Sequence, residues 1–244
     1  MTLLTEATDV FAAAERSSRC LVAFAAKRQP LASGVFGGDH VRRLNDLLRT
    51  LRDEGWLMSV RAMFEPNARG EPYVFDTGFA HDADMVGAFE APSISAALAG
   101  TIRLEQAGWA RRFVTEWLLG PREFSTVPGR GDRTDHSWGF LALWEWNDAW
   151  SAATKAERRA YDEECDVAFK GDVALGINIA GRHRLDWASR WHHAGLWEAP
   201  SLGSVDLAMQ GHEAAADFKL TTSRHYVGRL RRLADFIEAD ADRS

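Results

Sequence analysis

The sequence predicts an α+β protein in which one β-α-β-β-α-β unit is used twice, and three features of the 244 residues carry that expectation. First, Gly87-Ala88-Phe89-Glu90-Ala91-Pro92-Ser93-Ile94 reads against Gly195-Leu196-Trp197-Glu198-Ala199-Pro200-Ser201-Leu202, and the same offset of 108 residues pairs Glu105 with Glu213 and Gly120 with Gly228. A period near half the chain length marks a duplicated unit, not a solenoid of short repeats. Second, strand-like and helix-like hydrophobic periods follow one another in the same order in both halves. Third, Pro121, Ser125, Pro128, Gly129, Gly131, Asp132 and Asp135 make residues 121–137 the clearest linker, near the midpoint. The expected organisation is residues 1–120 as the first repeat with an N-terminal helix, 121–137 as linker, and 138–244 as the second repeat with the active site.

The first repeat is expected to begin after a helix over Thr5–Arg16. Cys20–Ala26 is a short apolar run ended by Arg28-Gln29-Pro30 and reads as a strand. Asp39 precedes Val41, Leu44, Leu47, Leu48 and Leu51 at helical spacing, and Gly55 ends that helix. Trp56–Phe64 reads as the next strand, followed by a turn at Pro66–Gly70 and an extra extended stretch, Tyr73–Phe79. Met85–Ala91 is a strand, Pro92-Ser93 opens a helix to about Ala107, and Arg112–Leu119 closes the unit. The second repeat starts with strand Trp138–Trp146. Thr154-Lys155-Ala156-Glu157 is a capping box for a helix ending at Gly171, and Val173–Ala180 returns as a strand. Trp191–Glu198, a helix from Ser201 to about Phe218, and Leu220–Val227 complete the same order.

With 46% hydrophobic and 11% aromatic residues the chain has the composition of a folded globule. Net charge is −6 and the basic residues are scattered, which removes the footprint of nucleic-acid binding. No segment approaches the roughly 18 consecutive apolar residues of a membrane span, and a soluble cytoplasmic protein is expected. Cys20 and Cys165 lack paired spacing, so they read as buried small hydrophobes, not as a disulfide or a zinc site. Arginine-rich, alanine-rich composition points to a GC-rich bacterial genome. There is no phosphate loop, dinucleotide fingerprint, nucleophile elbow or His-Glu-x-x-His motif.

This order of elements is ferredoxin-like, and two such sheets can close into one barrel with helices outside. The chain resembles the dimeric α+β barrel superfamily in its tandem, single-chain form. That superfamily includes antibiotic-biosynthesis monooxygenases and, among tandem forms, chlorite dismutase, coproheme decarboxylase and aldoxime dehydratase. The resemblance rests on element order and on the repeat. It implies chemistry done in a shaped apolar cavity with few polar groups.

Because the two copies share what the fold requires, positions where they diverge are the candidates for function. Asp84 and Met85 become His192 and His193, Leu104 becomes His212, and Glu116-Trp117-Leu118 becomes Arg224-His225-Tyr226. Strand alternation puts Trp138, Phe140, Ala142, Trp144 and Trp146 on one face, either lining a pocket or packing under the helices. His193 shares a face with Gly195 and Trp197; His225 lies with Thr221, Ser223 and Val227; Arg224 lies with Thr222 and Tyr226. The stretch Gly181–Trp187, with His183, is expected to be a loop at the cavity mouth. Asp162 and Asp166, one turn apart, read as solvated acids.

The expected function is an oxidoreductase, an oxygenase tailoring a hydrophobic or aromatic metabolite in bacterial secondary metabolism. Trp144, Trp146 and Trp197 would wall the substrate, His193 or His225 would act as base, and Arg224 with Tyr226 would hold a phenolate or carboxylate. The cofactor is expected to be none, reduced flavin or heme, in that order, and the protein a monomer or homodimer. A heme enzyme is the alternative. In chlorite dismutase-like families the resemblance places the iron-binding histidine near the end of the second unit's first helix, where Tyr161–Lys170 holds none; in aldoxime dehydratase-like chains it lies on the last helix, near His212. A non-catalytic, cyclase-like binder is the third reading.

Overall fold

In a computed structural model of the chain the described residues are 19–30, 37–64, 71–78, 80–121 and 136–238. The expected N-terminal helix and turn Pro66–Gly70, with nearly all of the linker, lie outside them. Eight strands are present among the described residues: β1 (Cys20–Arg28), β2 (Tyr73–Asp76), β3 (Met85–Ala91), β4 (Phe113–Pro121), β5 (Trp138–Trp146), β6 (Asn178–Arg184), β7 (His193–Ala199) and β8 (Thr221–Arg232). The long helices are α1 (Gly38–Asp53), α2 (Ile94–Leu104), α3 (Lys155–Ala174) and α4 (Leu202–Ala214). The hydrogen-bonded strand order is β4-β1-β3-β2-β8-β5-β7-β6, so each half repeats the ferredoxin-like order. Two compact units emerge among the described residues, 19–121 with 228–238, and 136–227.

The strand order has two ends, β4 and β6, so the expected closure into a barrel is not seen among the described strands. β2 pairs with Arg229–Arg232 of β8. The repeat counterpart of that β8 segment is residues 121–124, of which 122–124 lie outside the described residues.

Local chemistry explains most boundaries. Ser93 Oγ accepts the Ala96 N–H at 3.1 Å and Ser201 Oγ accepts the Ser204 N–H at 3.0 Å, capping α2 and α4 at repeat-related positions. The capping box at α3 forms as expected, with Thr154 N donating to Glu157 Oε2 at 2.8 Å. α3 runs past Gly171 because its stop is Gly176, left-handed at φ 82°, just as Gly55 at φ 91° follows α1. The expected strand Trp56–Phe64 is instead a single bridge, Leu57 to Glu90, and a short helix, Val60–Phe64. The extra extended stretch supplies β2 in its place. The helix expected through Phe218 breaks at Ala216, left-handed at φ 54°.

In the unit of residues 18–121, Leu44, Leu48 and Leu51 of α1 cover Phe24, Phe89 and Trp109. The Phe24 ring lies 5.3 Å from Trp109 and 5.4 Å from Trp117, which are themselves 5.3 Å apart. In the unit of residues 136–227, Phe140, Ile179 and Trp197 of the sheet pack under Val205 and Ala208 of α4 and Phe169 and Val173 of α3. The Phe140 end of the aromatic stripe is therefore core.

β8 extends five residues beyond its expected end because Gly228 lets β2 approach: a Cβ there would stand 2.6 Å from the Asp76 carbonyl oxygen. Gly228→Ala is expected to lower stability by about 1–3 kcal/mol through that backbone clash. Denaturant unfolding checks this, with Gly171→Ala, which meets nothing within 4 Å, as control.

Candidate functional site

The stripe on β5 is not buried evenly. Phe140 is 3% exposed, whereas Ala142, Trp144 and Trp146 beyond it are half-buried, as is His225 on neighbouring β8. Ala142 packs against the edge of the core yet stays partly exposed, so the cover over this end of the helix-side face is incomplete and leaves a recess. Gly195, paired with Ala142, agrees: a Cβ there would make only ordinary contacts, with the Trp144 ring at 3.4 Å and Trp197 Nε1 at 3.8 Å.

His193 and Trp144 line this recess, their rings stacked at 5.4 Å and 23°, and Trp146 meets His193 edge-on at 5.4 Å. Trp146 itself stacks on Trp150 at 4.1 Å, and its backbone N–H donates to His192 Nδ1 at 3.0 Å. Burial, with the charges of Arg182, His192 and Arg184 behind it, pushes His193 down to about 3. It is therefore a neutral stacking wall, a poor base at neutral pH, contrary to the role expected for it. Burial also lowers His225, against the opposing charge of Asp217; its ring lies 5.1 Å from Phe140 and 5.8 Å from Phe218. Both imidazoles are neutral at neutral pH.

A β-bulge between Ile179 and Arg182, turned at Gly181 with φ 98°, shifts the β6 register. The region expected to be a loop is thus largely strand. The shift matters because Arg182 then pairs with Gly195 and falls on the recess face, where strict alternation from Ile179 would have turned it away. Arg184, paired with His193, shares that face and bonds Asp186 at 2.7 Å.

His183 pairs with Ala194 and so lies on the other face, fully buried. Val227 packs in the helix-side core, which puts Tyr226 and Arg224 on that other face too. Arg224 is exposed, its guanidinium 5.0 Å over the Tyr226 ring. Of the expected site residues, the structure brings Trp144, Trp146, His193 and His225 together, leaves Trp197 in the adjoining core, and separates His183, Arg224 and Tyr226 from them.

His212 is buried at the end of α4 in a network that sequence reasoning missed. Its Nε2 lies 3.0 Å from Asp172 Oδ2 of α3, and its Nδ1 lies 3.2 Å from Asp217 Oδ2, off the line of a well-aimed hydrogen bond. Burial works to lower its pKa, but the carboxylates of Asp172 and Asp217, one beside each ring nitrogen, outweigh it and raise the group to about 9. Burial likewise opposes the ionised form of Asp217, yet the adjoining His212 and the hydrogen bond from Tyr161 hold it below the usual carboxylate range. The Tyr161 hydroxyl donates to Asp217 Oδ1. Burial pushes the Tyr161 hydroxyl far up and the Cys165 thiol to about 12, so neither ionises. An imidazolium with a carboxylate on each nitrogen has no lone pair for iron, so His212 does not fit as a heme ligand. Phe169 lies in the last third of α3, its ring 4.9 Å from His212. Among the described residues no group of three or more His, Cys, Asp or Glu is placed to hold a metal, and no helix is long and apolar enough to cross a membrane.

No protein-family model matches the sequence and no curated protein matches it. Solved structures do. A mutant chlorite dismutase from Candidatus Nitrospira defluvii gives a TM-score of 0.72 at 11% identity, over 92% of this chain and 96% of that one. The same enzyme in complex with imidazole gives 0.70 at 11% identity, over 92% and 96%. Another mutant, in complex with cyanide, gives 0.71 at 11% identity, over 96% and 99%. These structures match the chlorite dismutase side of the resemblance, not the antibiotic-biosynthesis monooxygenase side, and at such identity the likeness shows the fold alone.

The two kinds of histidine titrate in opposite senses. His212, raised above its unfolded value of 6.5, stabilises fully below that pH and loses its contribution as pH rises through about 9. His193, lowered to about 3, contributes above 6.5 and loses it as pH falls toward that value. Stability should therefore peak near pH 6.5, falling by roughly 3 kcal/mol toward alkaline pH on account of His212. Urea unfolding from pH 5 to 9 checks this, and His212→Gln should flatten the alkaline limb.

Proposed function

We propose that the chain is a small-molecule enzyme of oxidoreductase type whose ligand lies flat in the second-repeat recess, a heme-type ring being the first class to test. The observation that carries this reading is the open, aromatic, helix-side recess holding two neutral imidazoles. A flat ring stacks on Trp144, and a neutral His225, partly exposed, is the imidazole that fits an iron. Arg182 and Arg184 at the β6 edge suit carboxylate groups. The order β8-β5-β7-β6 sets His225 and Arg182 about three strand spacings apart, roughly 14 Å, a span that matches a multi-ring ligand better than a single ring. A heme bound there would supply one-electron and oxygen chemistry at its iron. The chlorite dismutase fold supports the class.

The second reading is an oxygenase acting on an aromatic metabolite without heme. Phe169 favours it, because the last third of α3, where the resemblance places a histidine ligand, carries a hydrocarbon ring. His225 would then be the base and His193 a wall.

Titrating purified full-length protein with hemin and following the Soret absorbance separates the two. The first reading expects saturable binding, weakened about tenfold or more by His225→Ala and little changed by His212→Gln. Absence of saturable binding in the unmodified protein sinks it. A colourless protein that oxidises an aromatic substrate aerobically, with His225→Ala inactive, establishes the second.

A further inference from the structure

The second repeat carries charge at core positions that the first fills with hydrocarbon. The repeat offset puts His212 at the place of Leu104, Asp217 at that of Trp109, and left-handed Ala216, φ 54°, at that of Gly108, φ 127°. Asp172 takes the place of Leu51. Each accepts, through its backbone carbonyl, the N–H that follows the glycine ending its helix: Trp56 N to Leu51 O at 3.0 Å, and Ile177 N to Asp172 O at 3.1 Å. Leu51, Leu104 and Trp109 are all 0% exposed in one apolar cluster. A buried ion network in such a place is seldom more stable than hydrocarbon of similar volume, and a left-handed alanine adds about 1–2 kcal/mol of strain. The same fold is therefore made without either expense in the first repeat, and departures of this kind collect where a protein functions.

The first repeat also shows what this position borders. Phe24 pairs with Gly87 and Ala142 with Gly195, so Ala142 is the counterpart of Phe24, and His225 is that of Trp117. Phe24, Trp109 and Trp117 are in mutual ring contact and fill their side of the sheet. A Cβ on Gly87 would stand 2.6 Å from the Phe24 ring, whereas Gly195 has nothing nearer than 3.4 Å. Two of the three rings are thus exchanged for Ala142 and His225, which leaves the recess. The third is exchanged for Asp217, whose side chain is 25% exposed while His212 and Asp172 behind it are at 3% and 2%.

We propose that Asp217 is a ligand-contacting residue of the recess that selects a cationic or N–H-bearing group on a flat substrate, with His212 and Asp172 as the positioning residues that keep its carboxylate charged and aimed. The proposal rests on the recess being the ligand site and does not depend on a heme being there. Arg182 at the opposite edge gives the recess a polar axis, so an acidic group belongs at the β6 end and a donor at the Asp217 end.

Benzamidine and benzoate, flat probes of like size and opposite charge, test it by calorimetric titration of the full chain. Benzamidine is expected to bind about tenfold or more tightly than benzoate. Asp217→Asn should erase that preference, and Tyr161→Phe, which removes a hydrogen bond but keeps the charge, should retain it. Ala142→Phe, which restores the filling of the first repeat, should lose benzamidine. Near-UV circular dichroism confirms that each variant is folded; should Asp217→Asn not fold, Asp217→Glu replaces it and should keep the preference for benzamidine. A preference that survives Asp217→Asn, that Asp217→Glu abolishes in a folded protein, or that is untouched by Ala142→Phe overturns the proposal. If hemin binds and benzamidine does not, the recess stands and this role for Asp217 falls; if neither binds, both fall.

Discussion

The His212 imidazolium, closed off between Asp172 and Asp217, fixes how the helices of the second repeat meet one another. Asp172 comes from α3, His212 from α4, and Asp217 from the short turn that follows, so three elements share one buried charge pair and its extra acid. Removing one member of such a set strands a charge in the interior, which costs about 3–5 kcal/mol. The network consequently specifies geometry more than it adds stability. Tyr161, donating to Asp217, carries the same constraint to the aromatic stack of Trp146 and Trp150.

The duplication makes the first repeat an internal control for the second. Both halves use the same serine caps, the same left-handed glycine after the first helix and the same strand order. Their difference lies in what covers the helix side of the sheet: three interlocked aromatic rings in one, and in the other an alanine, a histidine and an aspartate. Packing alone accounts for the first arrangement. It does not account for the second, where apolar burial is given up and neutral imidazoles are held among tryptophans.

Much of this was legible in the sequence, for reasons that are local. Glycine, proline and serine at the repeat-related caps announce helix ends through their own backbone chemistry, and the capping box at Thr154 is complete within four residues. What escaped depends on partners distant in the chain. Trp56–Phe64 has the apolar character of a strand, but only Leu57 finds a bridge, and the real β2 was the stretch that looked surplus. The bulge that turns Arg182 toward the recess depends on Gly181 adopting a positive φ in a strand that alternation reads as unbroken. The gain of His212 was visible against Leu104, but its meaning was not, because Asp172 and Asp217 meet it only through the folding of α3 against α4. The sequence does carry one signal of the recess: aligning Cys20–Ala26 with Trp138–Trp144 sets Ala142 against Phe24 and marks the gap in the stripe.

His212 is a cation held by two acids and not a bare ligand. Nitrogen NMR of the imidazoles in histidine-labelled protein at about pH 8, well above the ordinary histidine value, reads this directly. The expected spectrum shows His212 protonated on both nitrogens while His193 and His225 are neutral. A neutral His212 with one bare nitrogen would contradict it, returning that residue to the iron-ligand candidates and removing the support for a charged, oriented Asp217.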